Sequence, residues 1–519
     1  MKKGWPFPQQ LSQRLWRQLN HKQCFAGLLA LVLAGCASQP SSADLLAEIT
    51  AAGLAPEQVA LSIVPLSPQR HPKNPAQPLH YRSQALMQPA STLKLVTTSA
   101  AFAQLGLRWR GETQLLVAKS DLPNLASGRL LQPLIVRGLA DYDLDYATLF
   151  ELLQQLHARG IRQLDGGIFI DRSLFAEQAP AKQPFDESPQ AYYNYQPDAL
   201  PLGRNMLQVR VDSRQSSTNR TADSADILLI PNWQPLVLKS ELVLQNTPCQ
   251  TANTNGWQWQ YMPATSPTPQ QNTAQGQNPQ ATLVVRGHFP RNCLFERSQA
   301  VFSPEITLEL ALRNSWQQLT GTNFATLTFG KTPENYQLLA RHYSRPLPQL
   351  IHQLNKESDN GLAQLLFQRL ANPSAQATDL TLAQAEQQVL LWLGKNQINT
   401  TGMRLDNGSG LSRTAQLSTA QMAEILAHSW QQPWAAEFIA SLPLAGQDGT
   451  IRRRFLQTPV VNQARLKTGT LRNVTAVAGY VWDQQQRPYA FVAIVNADNA
   501  SSAGRPLIDR WVSKLVQQN

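Results

Sequence analysis

Apolar positions along this chain recur at two periods. Short, nearly unbroken apolar runs at 59–64, 134–138, 166–171, 207–211, 227–230, 475–481 and 489–495, bounded by turn residues, predict strands, with a further strand over 80–85. Longer stretches carry the helical spacing. At 147–159, Leu149, Leu152, Leu153 and Leu156 share one face, Asp145 supplies a cap and Gly160 a stop. At 304–319, Leu308, Leu312 and Trp316 stand four apart. Further helices are predicted at 44–52, from Ser91 to Leu105 with Gly106 as the stop, and at 347–355, 361–370, 382–394, 418–428 and 506–516. The expected class is mixed α/β (α+β), with no internal repeat. One stretch fits neither period. Residues 246–281 are rich in Gln, Asn, Thr and Pro and predict a long irregular surface loop, with Trp257, Trp259 and Tyr261 as a small anchor cluster beneath it and a sugar-stacking platform as the alternative.

Composition adds the compartment. The 519 residues are 42% hydrophobic and 15% charged, enough to build cores. The net charge of +11 is partly a front-end effect: residues 1–43 hold no Asp or Glu, and Lys2, Lys3, Arg14, Arg17 and Lys22 lie there. The remaining surplus suits a polyanionic neighbour such as a cell-wall or membrane surface. No aromatic-plus-basic stripe, zinc-finger spacing or phosphate loop points to nucleic acid. The apolar run 25–33 is short for a membrane span and suits a signal-peptide core. Leu33-Ala34-Gly35-Cys36 directly after it resembles the bacterial lipobox. That resemblance implies cleavage before Cys36, a lipid anchor on its thiol and, with Ala37 next, an outer-membrane destination in the periplasm. The alternative is an ordinary signal peptide cut near Ala37. In an exported chain the remaining pair, Cys249 and Cys293, favours a disulfide over a metal site. The eight histidines are scattered, so neither a metal nor any other cofactor is expected.

Candidate chemistry begins at Pro89-Ala90-Ser91-Thr92-Leu93-Lys94. Residues three apart share a helix face, so the Ser91 hydroxyl and Lys94 amine are placed to touch. The free N–H groups of the helix start add a positive field. A serine beside a neutral amine is an activated nucleophile. On this hexapeptide alone, a helix cap with a lysine reaching toward solvent is the stronger reading.

Two further stretches change that balance: Lys356-Glu357-Ser358-Asp359-Asn360 between two helices, and Arg465-Leu466-Lys467-Thr468-Gly469-Thr470 just before a strand. Ser-x-x-Lys, Ser-x-Asn and Lys-Thr-Gly, in that order, form the signature of penicillin-recognising serine enzymes. With Asp406 to Arg413 and Leu442 to Thr450, the chain resembles the class C low-molecular-mass penicillin-binding proteins, D-Ala-D-Ala carboxypeptidases and endopeptidases typified by penicillin-binding protein 4. The resemblance implies a β-lactamase-like transpeptidase fold, an antiparallel sheet flanked by helices plus a helical subdomain. It places a signal peptide at 1–35, the catalytic domain at 36–108 and 338–519, and one or two inserted domains at 109–337. It also implies a Cys249–Cys293 pairing like that of the type member.

The chemistry implied is acyl transfer. Ser91 attacks the penultimate carbonyl of a peptidoglycan stem peptide, with Lys94 as base. Ser358 and Lys467 pass a proton to the departing amine, and an ammonium at Lys467 helps keep Lys94 neutral. Asn360 binds substrate backbone, Thr468 and Thr470 with Gly469 between them bind the terminal carboxylate, and the N–H groups of Ser91 and Thr470 form an oxyanion hole. A β-lactam would leave a stalled ester. Arg413 is a candidate for a substrate carboxylate, with a surface ion pair as the plainer reading. Asp171, with Phe175, resembles inserted-domain residues that face the peptide side chain, where Asp171 would hold an amine. Arg472 stands where the type member leads one to expect a neutral polar residue. The competing readings are a β-lactamase, which lacks support because no Glu-x-x-Leu-Asn motif is present, and a non-catalytic wall-binding scaffold.

Overall fold

The computed structural model describes residues 42–66, 77–176, 185, 192–214, 224–233, 236–253, 256–263, 281–373 and 378–518. The expected signal segment and Cys36 lie outside them. The fold is mixed α/β, and two five-stranded sheets organise it.

The first sheet joins the two ends of the chain. Its order is Ala464–Leu471, Val474–Trp482, Pro488–Asn496, Val59–Pro65, Leu79–Tyr81, and every pairing is antiparallel. Its central strands read as continuous apolar runs because both faces are covered. Along Val474–Trp482, Ala476, Ala478 and Tyr480 join a core shared with Val96, Phe102, Met422 and Leu426 of the helices Lys94–Leu105 and Thr419–Trp430. Val477 and Val481 join a second core with Leu45 and Ile49 of Ser42–Ala51 and Leu507 and Trp511 of Arg505–Val516. The period-2 alternation thus feeds two apolar layers rather than one.

The second sheet lies between Glu112 and Tyr343 in the chain. Its order is Leu327–Phe329, Ile168–Asp171, Leu134–Leu139, Glu112–Ala118, Tyr336–Tyr343, with parallel and antiparallel pairs mixed. Helix Tyr146–Ala158 makes the crossover between the parallel strands Leu134–Leu139 and Ile168–Asp171. It starts where expected, with the Asp145 carboxylate accepting from Thr148 N. Helix Pro304–Thr320 packs in the same core. Two three-stranded sheets, Leu294–Gln299, Leu207–Asp212, Asp226–Ile230, and Val237–Gln245, Thr282–Pro290, Trp257–Met262, and the short parallel pair Arg129–Leu130 with Gln163–Leu164 complete the described part of this region.

The structure corrects the sequence reading in several places. The 246–281 stretch is not all loop: Trp257–Met262 is a strand paired with Thr282–Pro290. Trp257, Trp259 and Tyr261 alternate with exposed residues on it. Trp257 meets Phe289 and Phe295 edge-on, and Tyr261 meets Phe302, so the anchor is the inner face of a sheet. Cys249 and Cys293 are disulfide-bonded, with Cα atoms 5.3 Å apart. The strand expected over 80–85 is only Leu79–Tyr81. Lys467 to Thr470 lie within an edge strand rather than ahead of one. Strands Glu112–Ala118, Val237–Gln245, Thr282–Pro290, Leu294–Gln299, Leu327–Phe329 and Tyr336–Tyr343 are not among those the sequence pattern predicts.

Candidate active site

Ser91 stands on the short 3-10 turn Ala90–Leu93 that leads into helix Lys94–Leu105. Ala90 has φ 47°, a left-handed conformation that costs a residue with a Cβ and persists where its surroundings enforce it. Two glycines press on this turn. A Cβ at Gly410 would lie 1.9 Å from the Ala90 carbonyl oxygen, and one at Gly469 would lie 3.0 Å from Ser91 N. Their missing side chains let a loop and a strand edge close on the serine.

Lys94 is fully buried. Its Nζ lies 3.0 Å from Ser91 Oγ, 2.6 Å from Asn360 Oδ1 and 2.6 Å from the Ser409 carbonyl oxygen. None of these partners is a carboxylate. Burial and then the nearby Lys467 hold the amine well below the ordinary lysine range, with Asp359 opposing. A neutral Lys94 fits this cage: its two N–H groups reach the two carbonyl oxygens, and its lone pair is left to the Ser91 hydroxyl.

Ser358 ends helix Leu347–Glu357 in a left-handed conformation, φ 62°. Lys467 Nζ donates to Ser358 Oγ at 2.9 Å and to the Thr468 carbonyl oxygen at 2.8 Å. Burial pulls its pKa down to about 7. The next residue, Asp359, caps helix Asn360–Arg369 by accepting from Leu362 N. That cap fixes Asn360, whose Oδ1 meets Lys94 while its Nδ2 donates to the Tyr193 carbonyl oxygen at 2.9 Å. Three distant motifs therefore meet: Ser91 with Lys94, Lys94 with Asn360, Ser358 with Lys467, and Gly469 against the serine's backbone.

The Leu442 to Thr450 stretch supports this arrangement. Lys356 Nζ donates to the Leu442 carbonyl oxygen at 2.7 Å and to Asp448 Oδ2 at 2.6 Å. Asp448 Oδ1 in turn accepts from Leu444 N. The Thr450 hydroxyl lies 2.9 Å from that of Thr468. Thr470 is exposed at the strand edge.

Asp171 is not open to a ligand. It is 2% exposed. Its carboxylate accepts from Ser173 N, from Thr332 N and from the Thr332 hydroxyl, and faces Arg137 at 3.4 Å. Those contacts tie two strand ends together and correct the amine-binding expectation. Arg413 forms no ion pair among the described residues. Its guanidinium lies 4.5 Å from the centre of the Phe185 ring, beside a cleft of about 620 Å³ also lined by Gln88, Arg404, Asn473 and Asn496.

Sequence reasoning missed four contributors. Ser409 and Gly410 sit in a flagged stretch, but nothing local says that the Ser409 carbonyl would meet Lys94. Tyr193 reaches Asn360 through its backbone, which carries no side-chain signal. Tyr142 donates to Asp359 Oδ2 at 2.7 Å from more than two hundred residues away in the chain.

The profile of the D-Ala-D-Ala carboxypeptidase 3 (S13) family matches residues 73–515. The chain belongs to this peptidase family. It is 26% identical over 420 residues to the D-alanyl-D-alanine carboxypeptidase DacB of Haemophilus influenzae, covering 80% of this chain and 82% of that one. It is also 26% identical over 434 residues to the D-alanyl-D-alanine carboxypeptidase of Actinomadura sp. R39, covering 81% and 74%. Among solved structures, penicillin-binding protein 4 (dacB) of Haemophilus influenzae superposes with a TM-score of 0.73 at 23% identity, covering 92% of this chain and 99% of that one. The S13 enzyme thus shares the penicillin-binding protein 4 fold.

Proposed function

We propose that this S13-family D-Ala-D-Ala carboxypeptidase acts on peptidoglycan stem peptides through an acyl-enzyme on Ser91. The observation that carries the reading is the buried Lys94 amine, 3.0 Å from Ser91 Oγ with only uncharged partners in contact. In that setting Lys94 takes the Ser91 proton as the hydroxyl oxygen attacks the penultimate carbonyl carbon. The N–H groups of Ser91 and Thr470 receive the developing oxyanion. As the C–N bond breaks, Lys467 passes a proton through Ser358 to the departing D-alanine amine. Water then cleaves the ester. Asn360 orients the peptide, and Thr468 and Thr470 hold the terminal carboxylate beside the Lys467 charge. A β-lactam enters by the same attack and stays because its leaving group remains tethered.

Ser91→Ala tests this directly: a fluorescent penicillin should label the wild-type protein covalently and leave the variant blank. Labelling that survives the change removes Ser91 from the chemistry. Digestion of purified muropeptides separates the two peptidase activities, since single D-alanine loss marks a carboxypeptidase and dimer-to-monomer conversion an endopeptidase. Arg413 is kept as a second-tier substrate contact, because its guanidinium stays exposed beside an open cleft. A rise in KM at unchanged kcat in Arg413→Ala would support it. The lipid anchor at Cys36 is read from the lipobox alone. Metabolic labelling with palmitate, lost in Cys36→Ala, is its test.

A further inference from the structure

The region between Glu112 and Tyr343 does more than fill space beside the site. It sends Arg204 and Tyr142 to the middle residue of the Ser358-Asp359-Asn360 turn. Tyr142 is 5% exposed, and its hydroxyl donates to Asp359 Oδ2 at 2.7 Å. The Arg204 guanidinium lies 3.7 Å from the same oxygen and over the Tyr142 ring, 5.8 Å from its centre. The other Asp359 oxygen caps helix Asn360–Arg369. Asp359 is therefore gripped on one side by the catalytic helices and on the other by two residues of a different sheet region.

The backbone that aims Arg204 is unusual. Gly203, Arg204 and Asn205 are all left-handed, with φ of 54°, 56° and 55°. Two of these carry a Cβ and pay strain for it. The turn is clamped on both sides. Gly203 N donates to the Leu144 carbonyl oxygen at 2.8 Å. Asn205 donates to the Phe302 carbonyl oxygen and accepts from the Thr307 hydroxyl. Strain held this firmly beside a reaction centre points to a positional requirement on the residue it presents.

We propose that Arg204 and Tyr142 are positioning residues that hold the Asp359 carboxylate, and through it set the placement of Ser358 and Asn360 and the charge balance around the Lys94 amine. This rests on the Ser91–Lys94 reading above. The charged groups acting on Lys94 are Lys467 from the sheet edge and Asp359 from the inter-helix turn, and around Asp359 stand Tyr142, Tyr195 and Arg204 from the neighbouring region. Glu357 acts on Arg204 from the helix end. Asp359 favours the protonated amine. Arg204 offsets that field, so its charge helps keep Lys94 able to accept a proton at neutral pH.

The test is the pH profile of Ser91 acylation by a fluorescent penicillin in the full-length protein. Arg204→Gln should move the acidic limb to higher pH by about half a unit, less in high salt because the side chain is half exposed. Arg204→Lys should restore the limb. Asp359→Asn keeps a capping side chain and should move the limb the opposite way. Tyr142→Phe should lower the plateau rate several-fold with the melting temperature held. A limb unmoved in Arg204→Gln, or moved in the same direction by Arg204→Gln and Asp359→Asn, overturns the proposal. So does a uniform loss of rate that tracks a fall in melting temperature. Failure of the Ser91 reading is seen separately, as penicillin labelling that persists in Ser91→Ala.

Discussion

The two five-stranded sheets were assembled under different constraints. The antiparallel sheet is stitched from the two ends of the chain and buried on both faces, and its outer edge strand presents Lys467, Thr468 and Gly469 to the serine. The mixed sheet and its two small companions form one contiguous piece of sequence with a core of their own, from Leu115 to Ala340. The first sheet contributes reacting groups, and the second supplies a wall. The difference lies in what each core must tolerate. The catalytic region carries three buried lysines, Lys94, Lys356 and Lys467, a left-handed alanine at position 90 and a left-handed serine at 358. Apolar packing at its back holds those costly features in place. The neighbouring region has its own strained turn at 203–205, at the point where it reaches across to Asp359.

If that division of labour is right, substitutions on the two sides should separate rate from stability. Lys94→Met is the largest expected effect. It removes the amine from a cage of acceptors and should cut acylation by about 10³-fold or more. In the wild type the acylation rate should rise with pH as Lys94 deprotonates, because burial and Lys467 lower its pKa. It should then fall as Lys467 loses its proton at a pKa of about 7. Stopped-flow penicillin acylation across that range checks both limbs, and a flat profile breaks the two-lysine account.

Phe289→Ala strikes the other side. The ring is fully buried against Trp257, and its loss should destabilise by about 3–5 kcal/mol. At low temperature the acylation rate should stay at the wild-type value. A rate loss without a stability loss would show that the companion sheets reach the site more directly than the Tyr142 and Arg204 contacts allow.

How much of this was legible follows the same line. Ser91 and Lys94, Ser358 and Asn360, and Lys467 to Thr470 are each a few residues apart, so local spacing displays them, and their order along the chain made the set specific. Tyr142 and Arg204 reach Asp359 only through tertiary folding, and nothing in the residues around Tyr142 marks it. Asp171 misled for the converse reason: a carboxylate beside a strand end reads the same whether it faces a ligand or ties down Thr332 and Ser173. Trp257-Gln258-Trp259-Gln260-Tyr261-Met262 alternates at period 2, a strand signal that the Gln- and Pro-rich composition around it obscured. Strand Ala464–Leu471 is hidden in the sequence because a buried lysine and a glycine interrupt its apolar pattern, and those are the residues the site needs.

Lys467→Met should sharpen the contrast by improving stability while ending turnover. Burial lowers the folded-state pKa of Lys467 to about 7 from the ordinary value of 10.5. Between those two values the unfolded chain holds more protons than the native one, so wild-type stability should rise with pH across that window. At neutral pH the native state bears the cost of a buried amine, and an apolar side chain of similar length should relieve it by roughly 2 kcal/mol. Denaturation midpoints at neutral and alkaline pH should converge between variant and wild type as pH rises. A variant less stable at neutral pH would mean that the Ser358 and Thr468 contacts outweigh the burial.

The smallest effect probes the wall with a change that touches no core. Asp145 caps the helix whose face carries Leu149, Leu152, Leu153 and Leu156, and its carboxylate meets Thr148 N at 2.8 Å. Asp145→Ala should cost about 1 kcal/mol and leave penicillin acylation unchanged. Tyr146, the first residue of that helix, abuts the left-handed Gly203. Fraying of its first turn would therefore be felt at Arg204 before anywhere else in the site. An acidic limb displaced in Asp145→Ala, in the direction expected for Arg204→Gln, would show that the strained turn draws its rigidity from the helix cap. An unmoved limb would assign that rigidity to Asn205 and its contacts with Phe302 and Thr307.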